Sequence, residues 1–512
     1  NDQHYLSNTL IIKLKEKPID KINNELIFDS KLLKILNNAG LVSTKSLFHP
    51  ISSRKKSDKN DLDKILIVKY SSDVDPQVLA SKIKLHGSVE WAEPKFVYTL
   101  EYVPNDPFYS SQYALQKIKA AEAWNITTGD TAIIIAIIDT GVDWDHPDLA
   151  ANIWTNRNEI PENGIDDDNN GFIDDIRGWD FGGLNGTPDN NPMEDRPDHG
   201  THVAGDASAV TDNSIGISSI GFKSKIMPVK TIRDDFRSPS GSPYVVYGFE
   251  GIKYAADNGA AVINCSWGGG GFSFLGQEVV NYATSLGSLV VAAAGNNNSP
   301  SAFYPASYKN VLSVGATDEG DIKTSFSNYG ANVDVSAPGI NIYSTWQNDT
   351  YRFGVGTSFA SPIAAGLATL VKVIFPSYNP NQIAEQIRTN CDDINSINPS
   401  YVNQLGRGRI NALKSLVNVN SKSARAIDVK FLDDLPGGNG DGILQPGEII
   451  QVVCGFVNYL NPTSNLGIYL ESSSNYSTVQ NGIFIAGAKA TLDTFNNNSA
   501  IFTFQISQDV PQ

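Results

Sequence analysis

Three residue types that acyl transfer requires occur along this 512-residue chain, each in a setting that suits its chemistry. Gly356-Thr357-Ser358-Phe359-Ala360-Ser361-Pro362 opens a run of small and apolar residues that includes Ala364-Ala365-Gly366-Leu367-Ala368, Leu370 and Val371. The spacing predicts a slender helix through a protein's centre, with Ser358 at its first turn. Unpaired N–H groups and the positive end of the helix dipole favour negative charge there, so Ser358 is read as a nucleophile. Asp139 closes the apolar run Ala132-Ile133-Ile134-Ile135-Ala136-Ile137-Ile138. A carboxylate at the C-terminal end of a buried parallel strand is where α/β folds place functional groups. Taken alone, Asp139 would read as a turn cap. His199 lies in Asp198-His199-Gly200-Thr201-His202-Val203-Ala204-Gly205, which holds two of the six histidines. Paired histidines on a helix also suit a metal, but the Glu of an H-E-x-x-H motif is missing. Together Asp139, His199 and Ser358 supply an orienting carboxylate, a general base and a nucleophile. Their order along the chain is one in which that trio is known to work.

Elements must bring these groups together, and composition bounds what those elements build. The length predicts two or three domains, and an apolar fraction of 41% is ordinary for globular protein. No apolar run is expected to span a bilayer. The net charge of -16 excludes nucleic acid as an expected partner, since phosphate binding needs clustered Lys and Arg. Acidic residues clustered in loops suit cation binding or a highly soluble secreted protein. Three cysteines, Cys265, Cys391 and Cys454, give neither a disulfide framework nor a zinc site and are read as buried thiols. The chain begins at Asn1 rather than Met, so an earlier processing step is expected.

Residues 1–101 alternate strand and helix patterns and predict a small α+β unit. Thr9-Leu10-Ile11-Ile12-Lys13-Leu14 reads as a strand, residues 22–36 as a helix, and residues 52–59 as a polar basic stretch. A strand at Lys64-Ile65-Leu66-Ile67-Val68, a helix opened by Asp75-Pro76, and extended segments at Val89-Glu90-Trp91 and Phe96-Val97-Tyr98 follow. Tyr102-Val103-Pro104-Asn105-Asp106-Pro107 forms neither helix nor strand readily and marks a junction. Residues 102–420 then alternate buried strands with helices, which predicts a three-layer α/β domain on a parallel sheet. After a loosening at Ser421-Lys422-Ser423, residues 424–512 alternate strictly (Ile450, Val452, Cys454 and Phe456 in one phase). That pattern predicts an antiparallel β-sandwich module on a short linker, one that this sequence need not complete.

Three motifs in this order resemble the subtilisin family of serine proteases, and within it the thermitase-like branch. The resemblance rests on Ile137-Ile138-Asp139-Thr140-Gly141-Val142, His199-Gly200-Thr201-His202-Val203-Ala204-Gly205 and Gly356-Thr357-Ser358-Phe359-Ala360-Ser361-Pro362. Val291-Ala292-Ala293-Ala294-Gly295-Asn296 and Asp334-Val335-Ser336-Ala337-Pro338-Gly339 add to it. It implies Ser358 as nucleophile, His199 as base, Asp139 as its orienter, and Asn296 with the Ser358 N–H as oxyanion donors. It further implies that Ser266, Trp267 and Gly268 pair with substrate backbone on one side, and Gly241 and Ser242 on the other. Pro243 departs from the family there, since it offers no N–H, and Ile363 replaces a common His. Ala294 and Gly295 are expected in the primary specificity pocket.

The resemblance also implies structural Ca2+ and no organic cofactor. Side chains of Asp106, Asp148 and Asn213, with carbonyls of Val210, Ile215 and Ile217, are the expected oxygen shell. A second calcium loop is expected at Asp166, Asp168, Asn170, Phe172, Asp174 and Asp175, which follow an EF-hand-like start with Arg177 in place of its closing Glu. Gly438-Asn439-Gly440-Asp441-Gly442 with Glu448 is a weaker calcium pattern, as consistent with a plain turn. Residues 1–101 resemble an inhibitory propeptide, a ferredoxin-like template for a slowly folding parallel sheet, with cleavage expected at residues 100–103. The implied whole is a secreted or cell-surface endopeptidase made as a zymogen, with protein or peptide substrates and its own propeptide as partners. A catalytically silent relative serving as a binding module is the alternative.

Overall fold

The structure, a computed structural model, describes residues 5–16, 19–22, 25–27, 30–48, 61–97, 102–196 and 199–510. The chain divides into two compact units, Asn1–Leu100 and Glu101–Gln512. In the first, four antiparallel strands lie in the order Leu41–Ser46, Ile65–Tyr70, Tyr5–Leu14, Val89–Phe96. Helices Ser30–Asn38 and Pro76–Lys84 supply Leu32, Leu36, Leu79 and Ile83 to a core completed by Leu10, Ile12, Leu66 and Val68. Asp75 caps the second helix by accepting the Gln77 and Val78 N–H groups, and Pro76 costs nothing at a position whose N–H has no helical partner. The helix expected over residues 22–36 begins only at Ser30. Ile19–Ile22 and Glu25–Ile27 pair instead as a short hairpin. Residues 52–59, Tyr98 and Thr99, together with Leu100 and Glu101 of the expected cleavage region, lie outside the described residues.

The larger unit is built on seven parallel strands. Their spatial order is Val335–Pro338, Val311–Thr317, Leu289–Ala293, Val262–Cys265, Ile134–Asp139, Lys225–Lys230, Trp179–Asp180. Alternation along each strand feeds two cores. Ile135, Ile137 and Val291 meet the Gly200–Ser208 and Thr357–Ile374 helices, while Ala136, Ile138 and Val290 meet the Gly248–Asp257 and Phe274–Ser285 helices. Strands buried on both faces explain the unbroken apolar runs in the sequence. The Thr357–Ile374 helix is long and apolar enough to cross a bilayer, which the sequence reading did not expect, yet 78% of it is buried inside this unit. Its apolar surface is wide because it runs through a core and has little solvent face.

Beyond residue 423, Ala424–Leu432, Ile449–Asn458, Phe502–Ile506 and Ser477–Asn481 form an antiparallel sheet, with Thr494–Asn496 also on the second strand. Thr463–Tyr469 pairs with Ile483–Lys489, and Val452, Cys454, Phe456, Phe484 and Phe502 share a small core. The junction at Ser421-Lys422-Ser423 is not loose. Arg425 bonds both Asp334 and Glu385, the Ser423 hydroxyl bonds Glu385, and Gln382 Nε2 donates to the Tyr459 carbonyl at 3.0 Å.

Candidate active site

Three adjacent strands end side by side, and their C-terminal ends carry the candidate chemistry. Ile134–Asp139 delivers Asp139, Val262–Cys265 runs into Ser266, and Leu289–Ala293 runs into Gly295-Asn296. A twisted parallel sheet gathers side chains at exactly one edge of its strands in this way only because every crossover is long. His199 caps the Gly200–Ser208 helix from the next loop, and Ser358 is the second residue of the Thr357–Ile374 helix.

His199 Nδ1 lies 2.8 Å from Asp139 Oδ1, which also accepts the Thr140 N–H at 2.8 Å. Asp139 Oδ2 is buried and has no hydrogen-bond donor among the described residues. Burial pulls the imidazole towards neutrality, but the charges of Asp139, Glu194 and Asp206 outweigh it and hold its pKa above the ordinary value. Glu194 is 1% exposed and receives the His199 N–H at 2.7 Å, the Gly200 N–H at 2.9 Å and the Thr140 hydroxyl. An anion thus sits at the N-terminus of the His199 helix and grips both the base and the turn that holds its carboxylate. Nothing in the local pattern around Glu194 signalled this, because its partners lie up to 54 positions away.

The Ser358 hydroxyl donates to the Ser266 carbonyl at 3.1 Å rather than to His199. The Ser358 carbonyl has its own partner, for a sequence reason. Pro362 lies four residues on and has no N–H, so the helical bond to that carbonyl is missing. Ser266 Oγ fills the gap at 2.7 Å. Asn264 Nδ2 donates to Ser266 Oγ at 2.9 Å, and Ser361 Oγ donates to Asn264 Oδ1 at 2.7 Å. The nucleophile's turn is therefore tied to the central strand through a closed polar chain. Asn296 Oδ1 accepts the Thr357 N–H and hydroxyl, both at 2.9 Å. This leaves the Nδ2 hydrogens to face the Gly356–Ser358 turn. Asn328, 4% exposed, braces the loop by accepting the Asn297 and Ser299 N–H groups and donating to the Ala294 carbonyl.

The expected substrate edges fare differently. Among the described residues, the peptide N–H and C=O of Gly268 take no partner, as an edge open to strand addition would not. Gly241 and Ser242 do not offer such an edge. Gly241 N donates to the Ser238 carbonyl, the Ser242 carbonyl accepts the Ser238 N–H, and Ser242 N donates to Ser238 Oγ. Here a closed turn uses these groups internally. Next to them, Tyr244, Phe249, Trp267, Tyr304 and Tyr308 line a recess of about 530 Å³ that residue types alone did not reveal.

The expected calcium ligands converge in two places. Asp106 and Asp148 are buried, Asn213 Nδ2 bonds Asp148 Oδ1 at 2.8 Å, and Ile217 N donates to Asp148 Oδ2 at 2.8 Å. The carbonyls of Val210, Ile215 and Ile217 accept no hydrogen bond among the described residues. Gly216, at φ +55°, leaves room that a Cβ would fill 2.0 Å from Asp148 Oδ2. Burial pushes the Asp148 carboxyl up to about 6. An oxygen-rich, charge-deficient cradle of this kind fits a hard cation. In the acidic loop, Glu159, Asp168 and Asp175 have ligand oxygens within 4.8 Å of one another. Asn170 Nδ2 and the Tyr254 hydroxyl bond Asp175 Oδ2. Asp174 turns away to accept the Asn163 and Gly164 N–H groups, and Asp166 accepts those of Asn170 and Gly171. Glu159, seven residues before the loop, accepts the Asp168 and Asp174 N–H groups at 3.1 Å each and brings a third carboxylate to the cluster. The trio Asp180, Asp195 and Asp234 differs, since the buried Lys230 ammonium already bonds all three.

With this geometry in view, comparisons place the chain among known proteins. The profile of the subtilase family matches residues 130–411. Thermitase of Thermoactinomyces vulgaris is 42% identical over 62% of this chain and 99% of its own length. A thermophilic serine proteinase of Bacillus sp. (strain AK1) is 39% identical over 64% of this chain and 73% of its own length. Among solved structures, a protease of Pseudoalteromonas arctica PAMC 21717 superposes with a TM-score of 0.52 at 27% identity, covering 62% of this chain and 99% of that one.

Proposed function

The chain belongs to the subtilase family as a serine endopeptidase of its thermitase-like branch, and on that premise we propose that Ser358, His199 and Asp139 carry out peptide-bond hydrolysis. Ser358 Oγ turns from the Ser266 carbonyl to His199 Nε2 and attacks the scissile carbonyl as His199 takes its proton. Asp139 holds the Nδ1–H tautomer and stabilises the imidazolium. Asn296 Nδ2 and the Ser358 N–H receive the developing oxyanion, and His199 returns the proton to the leaving amine; a water deprotonated by His199 then attacks the Ser358 ester, releasing the carboxylic acid and restoring the serine hydroxyl. The observation that carries this reading is the 2.8 Å contact between His199 Nδ1 and Asp139 Oδ1 beside the head of the Ser358 helix. The test is hydrolysis of a denatured protein substrate by the wild type and by Ser358→Ala. Full activity in the variant would refute the assignment.

Around this centre we read residues 1–101 as an inhibitory propeptide, 102–420 as the catalytic domain and 424–512 as a β-sandwich module. A separate core in the first unit supports a segment that folds as its own template. Calcium would be held by Asp106, Asp148, Asn213 and the carbonyls of Val210, Ile215 and Ile217, and by Glu159, Asp168 and Asp175 with the loop around Asn170 and Phe172. Bound there, it supplies charge balance to buried carboxylates and ties loops together. The acidic balance of -16 suits a secreted or cell-surface enzyme.

A further inference from the structure

On the endopeptidase reading, the side chain that precedes the cleaved bond is placed between two backbone walls that follow the strands ending beside the Ser358 helix. These are Ser266-Trp267-Gly268 and Ala293-Ala294-Gly295-Asn296, which leave neighbouring strands of the sheet. Each wall presents a glycine, and both glycines face the same aromatic ring. A Cβ added at Gly268 would fall 2.5 Å from Phe303 Cε1 and 2.9 Å from its Cδ1. One added at Gly295 would fall 2.9 Å from Phe303 Cγ and 3.0 Å from Cδ1. One edge of the Phe303 ring thus spans the gap between the walls, and it shares the crowding with the Tyr304 carbonyl, 2.4 Å from the added Gly268 Cβ, and with the φ of +103° at Gly295.

The ring is also held in place. Phe303 N donates to Ser307 Oγ at 2.9 Å, and Ser307 N donates back to the Phe303 carbonyl at 2.8 Å. The next residue, Tyr304, exchanges both peptide hydrogen bonds with Gly269 at 2.7 and 2.8 Å. On the Gly295 side, Asn328 Nδ2 would lie 2.5 Å from the added Cβ, so the bracing amide backs the same space. The backbone that carries the ring is thus pinned on both sides, and Asn328 limits the room left beside Gly295.

We infer that Phe303 fills the recess for the residue preceding the scissile bond, so that this endopeptidase cleaves after small residues (Gly, Ala, Ser) and rejects large aromatic ones. The inference rests on the endopeptidase reading of the same site. An incoming phenyl ring needs the volume that Phe303 already occupies, and a close-packed wall does not yield it. A methyl or hydroxymethyl group fits above the ring's edge and gains contact with it.

The test uses two chromogenic peptide anilides that differ only in the last residue, Ala or Phe, with a denatured protein as a third substrate. The wild type should show kcat/KM at least tenfold higher for the Ala substrate, and its cleavage sites in the protein should cluster after Gly, Ala and Ser. Phe303→Gly should shift the Ala-to-Phe ratio at least tenfold towards Phe, and Phe303→Val should shift it part of the way in case the glycine variant folds poorly. Wild-type enzyme that cleaves the protein but prefers the Phe anilide would overturn the inference alone, as would an unchanged ratio in both variants. Wild-type enzyme inert on all three substrates would overturn the endopeptidase reading as well.

Discussion

Pro362 removes a helical hydrogen bond from the Ser358 carbonyl, and Ser266 Oγ replaces it at 2.7 Å. Ser266→Ala should therefore cost more than an ordinary serine deletion. It leaves the Ser358 carbonyl without a donor and Asn264 Nδ2, on a residue 0% exposed, without an acceptor. One unsatisfied buried group costs about 1–3 kcal/mol, so a loss of about 2–6 kcal/mol is expected for the pair. Pro362→Ala restores an N–H four residues after the carbonyl, and that N–H can take over the serine's role. In the Pro362→Ala background the cost of Ser266→Ala should fall by about 1 kcal/mol, the net value of one hydrogen bond. The assay is denaturant unfolding of the four proteins of this cycle, all carrying Ser358→Ala to prevent self-digestion, compared at equal m-values. An identical cost in both backgrounds would show that Ser266 does not substitute for the missing helical bond.

The remaining predictions concern the reaction and its scaffold. Asn296→Ala and Asn296→Asp should each lower kcat by about 10²–10³, the effect known for removing such a donor in a subtilisin. Asn296→Asp should keep the Thr357 contacts and hence the stability, so a variant that lost activity only through unfolding would contradict the donor role. His199 works as a base only when neutral, and its pKa is raised by Asp139, Glu194 and Asp206 against burial. Activity should thus be lost as pH falls through a value above the ordinary histidine range. Glu194→Gln should move that acidic limb to lower pH; an unmoved limb in the kcat/KM profile would remove Glu194 from the electrostatics of the base. Chelation of calcium should lower the thermal midpoint, since ligand at a hundred times its Kd contributes about 2.7 kcal/mol. An unchanged midpoint by calorimetry would defeat the calcium assignment.

The chemistry was legible where it sits on local signals. Asp139 ends an unbroken apolar run, Ser358 heads a small-residue helix, and the histidine motif opens a helix, so short stretches announced each residue. Strands buried on both faces likewise carry their own signature. What stayed hidden depends on partners far along the chain. Glu194 reaches Thr140, Asn328 braces Ala294, Glu159 joins Asp168 and Asp175, and Phe303 lies beside glycines in the loops that follow two different strands. None of these contacts leaves a periodic trace. Gly241 and Ser242 sit in a local turn whose internal hydrogen bonds their sequence did not announce. The helix placed too early, over residues 22–36, reflects apolar residues whose spacing suits a helix but which belong first to a hairpin of two short strands. Pro362 would read as a helix breaker on propensity alone, and only the distant Ser266 hydroxyl makes it tolerable.

The central claim is that Ser358 is a nucleophile activated by His199 and oriented by Asp139. A fluorophosphonate probe reacts with a serine only when its hydroxyl is activated in this manner. Incubation followed by peptide mapping should place a single adduct on Ser358, with labelling abolished in His199→Ala and strongly slowed in Asp139→Asn. Labelling at another serine, or labelling of Ser358 that persists unchanged in His199→Ala, would contradict the account.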